Sequence, residues 1–367
     1  MILMNDFTAE PSELKEQMLA AVNRVIQSGW YVLGKEVQKF EDAWASAIGV
    51  DQGIGVANGM DAIEIALRSL GIGSGDEVIT TPMTAFATTL AILRSGATPV
   101  LADIDPDTAL ISVESATRCL TTRTKAIVLV HLYGQLRNLD QWVNFCTSNN
   151  IYLIEDCAQS HLASLSGKKG GSFGVAGAFS FYPTKNLGTV GDGGMLVTSD
   201  AKLSEKARSL RNYGQTIRYS HPYLGMNSRL DEIHAAILLE RLGWLGIFTA
   251  RRRAIAKAYY EGINNSLISL MAKPQEELSH VYHLFVVKCL QRDLLQQHLQ
   301  SNDIQSYIHY PIPIHLQESC FEIARDPQGL NNSEIHAQLC LSLPCHPQMS
   351  DKDVASVIAV VNSFTGM

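Results

Sequence analysis

Four short apolar runs, set between stretches of helical periodicity, constrain this chain of 367 residues most strongly. Glu77–Thr80, Pro99–Ala102, Ala126–Val130 and Ile151–Ile154 are bounded by Gly, Asp or Pro and do not alternate between apolar and polar residues. Such runs suit strands buried on both faces of a mostly parallel sheet, covered by helices on each side. Ala178–Phe181 and Met195–Thr198 are two further strand candidates, close together. Val37, Phe40, Trp44 and Ala47, after Gly34, predict an amphipathic helix ending at Gly49, and Ile63, Ala66, Leu67 and Leu70 a second one stopped by Gly71. From Leu230 the pattern changes to a long helical stretch, Leu230–Tyr260, with a bend expected at Gly243 and Gly246. A strand at Val281–Val287 and helices at Arg292–Ser301 and Asp353–Asn362 follow. The expected fold class is therefore α/β. A large domain over 12–245 would hold a mostly parallel central sheet, and a smaller C-terminal α+β domain would cover 246–367, with residues 1–11 packing against it.

Composition removes several alternatives. Hydrophobic residues make up 46% and charged residues 18%, the opposite of a disordered chain. With 29 basic against 36 acidic residues the net charge is −7, which argues against a nucleic-acid partner, whose footprint is a basic stripe. The longest apolar runs, such as Val354–Val361, fall short of the roughly 18 residues of a membrane span. Met1-Ile-Leu-Met-Asn-Asp6 has no basic region of the kind that opens a signal peptide. Seven cysteines (119, 146, 157, 289, 320, 340, 345), nowhere in a Cys-x-x-Cys pair, read as free thiols of a cytoplasmic protein. No metal site is expected, because His280 and His283, three apart on a strand, would point to opposite faces.

Three segments sit where ligands collect in such sheets, at strand ends and helix starts. Val56-Ala-Asn58-Gly59-Met60-Asp61 leads into a helix whose free N–H groups suit a phosphate, although alone it is an ordinary Asn-Gly turn with a cap. Its glycines do not have dinucleotide-binding spacing, and no strong strand is expected before them. Ile151–Ile154 delivers Glu155 and Asp156 at a strand end, where a carboxylate can hold a ring nitrogen protonated or simply cap a helix. Phe179-Ser180-Phe-Tyr-Pro-Thr-Lys185-Asn-Leu-Gly188 places a lysine between aromatic and glycine-rich stretches. Desolvation there lowers an amine's pKa, as a Schiff-base lysine requires, whereas read alone the segment is an exposed loop. In this order, the three pieces are what pyridoxal phosphate needs: a phosphate cradle, an Asp for the pyridinium and a Lys for the imine.

The chain resembles the DegT/StrS-type sugar-nucleotide aminotransferases, pyridoxal-phosphate enzymes of the aspartate-aminotransferase fold (PLP fold type I). The resemblance is carried by Gly34-Lys-Glu-Val-Gln-Lys-Phe-Glu41, Asn58-Gly-Met-Asp-Ala62, Gly73-Ser-Gly-Asp-Glu-Val-Ile79, Arg123-Thr-Lys-Ala-Ile127 and His131-Leu-Tyr-Gly-Gln135. It continues through Glu155-Asp-Cys-Ala-Gln-Ser160, Phe181-Tyr-Pro-Thr-Lys-Asn-Leu187, Gly225-Met-Asn-Ser-Arg-Leu-Asp-Glu232, His309-Tyr-Pro-Ile-Pro313 and Leu341-Ser-Leu-Pro344. It implies Lys185 as the Schiff-base and proton-transfer residue and Asp156 as partner of the pyridine nitrogen. Gln159 would meet the ring's 3-oxygen. Backbone N–H groups of Gly59 and Met60, with the Ser180 hydroxyl, would hold the phosphate. Asn227 would reach the phosphate of a neighbouring subunit, which implies a homodimer with shared active sites. Arg229 and Tyr310 would contact the substrate, although an ordinary salt bridge is an equal reading of Arg229.

Two positions depart from the family pattern. The aromatic residue that stacks on the cofactor falls at Ala85, and Phe86 stands one step later, about 100° round a helix. Met60 lacks the hydroxyl usual after Gly59, so only its backbone could serve.

The implied reaction moves an amino group from an amino acid, L-glutamate by resemblance, to a nucleotide-linked ketosugar. Asn58-Gly-x-Asp-Ala62 with Asn227-Ser-Arg-Leu-Asp-Glu232 is most similar to members that aminate C-3 of a dTDP- or UDP-linked 3-keto sugar. C-4 amination is the alternative, as is a dehydratase of the same fold, although those enzymes carry His in place of Lys185. Lys202, Lys206, Arg208, Arg211 and Arg218 form a basic segment that could draw in a diphosphate or be a solvated helix face.

Overall fold

Alternation of helix and strand dominates the first two-thirds of the computed structural model, which describes residues 1–366. Helices α1 (Ser12–Ser28) and α2 (Lys35–Ile48) precede β1 (Gln52–Val56), α3 (Gly59–Ser69), β2 (Glu77–Thr80), α4 (Phe86–Ser95) and β3 (Thr98–Leu101). Next come α5 (Val113–Arg118), β4 (Thr124–Val130), α6 (Leu139–Ser148) and β5 (Tyr152–Asp156). A hairpin, β6 (Ser164–Leu165) and β7 (Lys168–Lys169), leads to β8 (Ala176–Ser180), β9 (Gly194–Thr198), α7 (Ala201–Leu210) and α8 (Glu232–Gly262). The remainder contains β10 (Ser269–Leu270), β11 (Phe285–Lys288), α9 (Arg292–Ser301) and β12 (Ala324–Arg325). It ends with α10 (Asn331–Leu339), β13 (Cys340–Leu343) and α11 (Asp351–Ser363).

Eight strands form one sheet in the order β1-β9-β8-β5-β4-β2-β3-β12. Only β9 runs antiparallel to its neighbours, so the sheet is mostly parallel, as the non-alternating runs predict. Register sets Val130 beside Asp156 and Asp156 beside Ala178, which lines up the carboxyl ends of β4, β5 and β8. Ile54, Val78, Val128, Ile154 and Leu196 bury one face of this sheet against Ile63, Ala66 and Leu67 of α3. Phe40 and Trp44 of α2 pack on the other face with Phe179 and Phe181, at ring-centroid distances of 5.2 Å (Phe40–Phe181) and 5.1 Å (Trp44–Phe179). A second core joins Ile255 and Tyr259 of α8 to Phe285, Leu295, Leu341 and Val357, around the three-stranded antiparallel sheet β10-β11-β13. The N-terminal segment reaches this part of the chain, where the Ile2 N–H donates to the Asp303 carbonyl at 2.7 Å.

Several expectations need correction. A strand, β1, does precede Asn58. It has no apolar run because its glycines are required by close packing: a Cβ on Gly53 would meet the Glu41 carbonyl oxygen at 2.6 Å and one on Gly55 would meet Leu230 at 3.0 Å. The bend expected at Gly243 and Gly246 is missing, since α8 runs through both without interruption and 245/246 falls inside it. The strand candidate of the C-terminal part begins at Phe285 rather than Val281. α8 is also long and apolar enough to cross a membrane by composition alone, with a mean hydropathy of 1.3 over 18 residues. Packing buries part of that apolar surface: Ala236 meets Ala21 and Val25 of α1, and Ala235 and Leu238 pack with Val37 and Phe40 of α2. In the first third of the helix, Arg241 pairs with buried Glu10 at 2.6 Å.

The basic segment is only partly free. Glu41, 1% exposed, accepts from the Gly55 N–H at 2.7 Å, from Arg208 at 2.8 Å and from Arg211, so two of the five cations tie α7 to α2 and β1. Removing one partner of a buried ion pair leaves the other charge uncompensated. Glu41→Ala is therefore expected to cost about 3–5 kcal/mol in urea denaturation. A loss below about 1 kcal/mol, as at an exposed pair, would contradict this role.

Candidate active site

The carboxyl end of β5 separates its two acids to opposite sides, as successive strand residues must. Glu155 turns inward and is saturated: it accepts from His131 Nε2 at 2.9 Å and from the N–H groups of Gly171, Phe173 and Gly174 at 2.9, 2.8 and 2.9 Å. Those donors, led by His131, hold its carboxyl below the usual range against the opposing effect of burial. Cys157 brings a third ligand-type atom within 4.8 Å, but Glu155 has no lone pair left over for a cation.

Asp156 turns the other way, into a cleft. Its Oδ1 accepts from the Ala158 N–H at 3.1 Å and its Oδ2 from the Thr88 hydroxyl at 2.8 Å. Lys185 lies across the cleft on the turn after β8, its N–H bonded to the Tyr182 carbonyl at 2.9 Å. The Lys185 side chain keeps an opening to solvent yet is surrounded by protein, and desolvation lowers its pKa while Asp156 pulls the other way. Imidazoles near it stay neutral. Burial, then Lys185, pushes His161 down to about 3 and His309 to about 4, and burial with the same neighbour carries His283 well below its usual value.

Gln159 has a fixed orientation. Its Oε1 accepts from the Tyr133 N–H at 2.6 Å, so the amide nitrogen faces the cleft and donates to Tyr310 Oη at 3.2 Å. Burial, with Asp156 nearby, pushes the Tyr310 hydroxyl up to about 12, so it stays protonated.

The third component is a cradle at the start of α3. Asn58 caps this helix, accepting from the Asp61 N–H at 2.8 Å. The preceding N–H groups, of Gly59 and Met60, have no acceptor within the helix. A Cβ on Gly59 would stand 2.8 Å from Ser180 Cβ, so only glycine lets Ser180 lie against the helix start. Ser180 Oγ accepts from the Tyr182 N–H at 3.3 Å, which leaves its proton free for an anion. Two backbone donors, one hydroxyl and the positive end of a helix fit a phosphate monoester. Asp156, Gln159 and Lys185 fit a pyridine ring bearing a hydroxyl and an aldehyde.

Other expected residues stand apart from this cluster. Phe86 is 37% exposed at the first position of α4, about 200° round the helix from Thr88, while Ala85 forms the N-cap. Asn227 is exposed on a segment bridged to Asn212. Arg229 donates to Asn212 Oδ1 at 3.2 Å and lies over the Tyr213 ring at 5.4 Å, with no ion pair among the described residues. Sequence reasoning missed Thr88 and the three histidines. For Thr88 the only signal was its place in Thr81-Pro-Met-Thr-Ala-Phe-Ala-Thr88, the stretch in which a residue stacking on the cofactor is expected.

The sequence model of the DegT/DnrJ/EryC1/StrS aminotransferase family matches residues 12–362. A dTDP-3-amino-3,6-dideoxy-alpha-D-galactopyranose transaminase of Aneurinibacillus thermoaerophilus is 44% identical, over 95% of this chain and 96% of that protein. A UDP-N-acetyl-3-dehydro-alpha-D-glucosamine 3-aminotransferase of Acidithiobacillus ferrooxidans is 38% identical, over 98% of this chain and 97% of that protein. Among solved structures, S. venezuelae DesV in complex with a ketimine intermediate superposes with a TM-score of 0.94, at 40% identity over 98% of this chain and 97% of that one.

The depressed pKa of Lys185 sets the sign of a pH effect. Between its folded value and the unfolded value of about 10.4, the unfolded chain holds one more proton, so stability rises with pH across that window. Below the folded value both states are charged and the full burial cost remains. The stability of the cofactor-free protein relative to Lys185→Met is expected to climb as pH rises toward about 10.4, measured by urea denaturation at a series of pH values. A difference that is flat in pH would contradict the desolvated amine.

Proposed function

The chain belongs to the DegT/DnrJ/EryC1/StrS aminotransferase family, and from that premise we propose that it transfers an amino group to C-3 of a dTDP- or UDP-linked 3-keto sugar with pyridoxal 5'-phosphate as cofactor. The observation that carries this reading is the desolvated Lys185 opposite Asp156, beside a helix start that only glycine can bring to Ser180. The C-3 position follows the names of relatives on both nucleotides, and L-glutamate is the proposed donor.

Each residue has a defined task. Gly59 and Met60 bind the phosphate through their N–H groups, and Ser180 through its free hydroxyl proton. Gln159 can reach the ring only as a donor, because Tyr133 occupies its oxygen, so it serves the 3-oxygen. Asp156 accepts from the ring nitrogen and holds the proton there. When bound, the cofactor supplies an aldehyde that takes up the donor's nitrogen and a ring that delocalises the electron pair left on the substrate carbon. Lys185, as a free amine, takes the proton from the donor's carbon at Nζ and passes it to the cofactor's former aldehyde carbon within the same half-reaction; the second half-reaction moves a proton the opposite way, onto the sugar carbon. The lowered pKa of Lys185 favours the neutral, proton-accepting form. The neutral imidazoles of His161, His283 and His309 add no competing cation.

The functional unit is a cytoplasmic homodimer. Asn227, exposed in the single chain, completes the phosphate site of the partner, and Arg229, which has no ion pair among the described residues, meets the substrate with Tyr310. Exposed Trp30, Tyr182 and Val190 supply apolar surface for the contact. Helix α8 joins the cofactor-binding domain, 12–245, to the smaller domain, 246–367.

The purified holoprotein is expected to show a visible absorbance band that borohydride abolishes, leaving the cofactor's mass on the peptide that contains Lys185. Label on another peptide, or no band, would contradict the assignment. Lys185→Ala is expected to lower turnover by at least about 10²–10⁴-fold. Product NMR after reaction with a panel of nucleotide ketosugars should place nitrogen on C-3; nitrogen on C-4 would overturn that choice. Mixing inactive Lys185→Ala and Asn227→Ala proteins should restore part of the activity through mixed dimers, and no recovery would contradict shared sites.

A further inference from the structure

Two helix threonines, unlike the unpartnered Thr89 and Thr249, bond back through their hydroxyls to the carbonyl four residues earlier. Thr117 does so to Val113 at 2.7 Å, and Thr147 to Val143 at 2.8 Å. Thr88 does not. It is the third residue of α4, 1% exposed, and its hydroxyl leaves the helix to reach Asp156 Oδ2 at 2.8 Å. The residue four positions earlier, Thr84, is 3% exposed and contributes a hydroxyl instead of a carbonyl, with Oγ1 at 2.9 Å from Thr88 Oγ1.

Proton counting fixes the direction of this chain. A carboxylate only accepts, so the single hydroxyl proton of Thr88 is committed to Asp156. Thr84 must then donate to Thr88, and each hydroxyl polarises the next. With the Ala158 N–H on Oδ1 at 3.1 Å, each carboxylate oxygen holds one donor from behind. Each oxygen keeps a lone pair, and Lys185 and Tyr310 are both near enough to feel this carboxylate's charge.

We propose that Thr88, supported by Thr84, is a positioning residue: the chain Thr84–Thr88–Asp156 fixes the carboxylate in the orientation that meets the ring nitrogen of a pyridinium cofactor. The inference rests on the functional reading above and assigns a role to two residues outside the cofactor shell. α4 gains nothing comparable from the bond, because its N-cap, Ala85, has no capping side chain and the Thr88 hydroxyl takes no part in the helix.

The test compares Thr88→Val, which keeps the shape and deletes the donor, with Thr88→Ser, which keeps the donor, and Thr84→Val, which removes only the second link. Cofactor-free protein is titrated with pyridoxal 5'-phosphate, and the visible absorbance of the loaded protein is followed against pH. Loss of a hydrogen bond to a charged group predicts roughly 10- to 100-fold weaker cofactor binding for Thr88→Val, with a displaced midpoint in the absorbance–pH curve. Thr88→Ser should stay within about threefold of wild type, and Thr84→Val should lose less than about tenfold. A purely structural threonine would lower the melting temperature without moving the midpoint. Wild-type affinity and midpoint in Thr88→Val, or a larger effect from Thr84→Val, would overturn the proposal. Should Thr88→Val fail to fold, Thr84→Val decides alone: a weakened affinity with a moved midpoint supports the chain, and wild-type values overturn it. If the wild-type protein does not bind pyridoxal 5'-phosphate, the functional reading itself fails.

Discussion

A carboxylate held inside protein at the end of β5 sets the terms for what surrounds it. Asp156 is only 7% exposed, and a charge in such a place must be met by donors or by an opposite charge. The donors come from separate parts of the chain, the Thr88 hydroxyl on α4 and the Ala158 N–H on the turn after the strand, and Lys185 on the turn after β8 adds a Coulombic attraction. Parallel pairing of β5 with both β4 and β8 is what delivers those turns to one edge of the sheet. The same register puts Tyr133 where its N–H can fix Gln159. The fold and the site are therefore one constraint seen twice.

Close approach of backbone is the second condition. Gly59 against Ser180 and Gly194 against Asn58 leave no room for a Cβ, the latter meeting a backbone carbon at 2.3 Å. The start of α3 can thus stand within reach of β8, bringing the anion cradle and the lysine turn into one cleft. Glu41 secures the region from behind by joining α2, β1 and α7 through Gly55, Arg208 and Arg211. A charged residue buried this deeply reads from sequence as part of a helix's polar face, and its two arginines read as a free basic segment.

How much of this was legible in the sequence depended on whether the determining contacts were local. Strands β2 to β5 and β8 announce themselves as apolar runs, because burial on both faces demands it. Asp156 and Lys185 are legible by type and position, at a strand end and between aromatic and glycine-rich stretches. β1 was hidden because its glycines answer to Glu41 and Leu230, which are distant in sequence. The bend at Gly243 and Gly246 was expected from composition, but neighbouring turns of α8 hold the helix through both residues. Thr88 looks like any helix threonine until the sheet brings Asp156 to it, 68 residues away. Phe86, the expected stacking residue, stands partly exposed at the first position of α4.

The central claim is that Asp156 keeps a pyridine nitrogen protonated opposite a desolvated lysine whose pKa is lowered. Nitrogen NMR of the protein loaded with pyridoxal 5'-phosphate labelled at the ring nitrogen reads that proton directly. The account predicts a protonated-ring chemical shift that persists through neutral pH in the wild-type protein and is lost in Asp156→Asn. A neutral-pyridine shift at neutral pH in the wild-type holoprotein would contradict it.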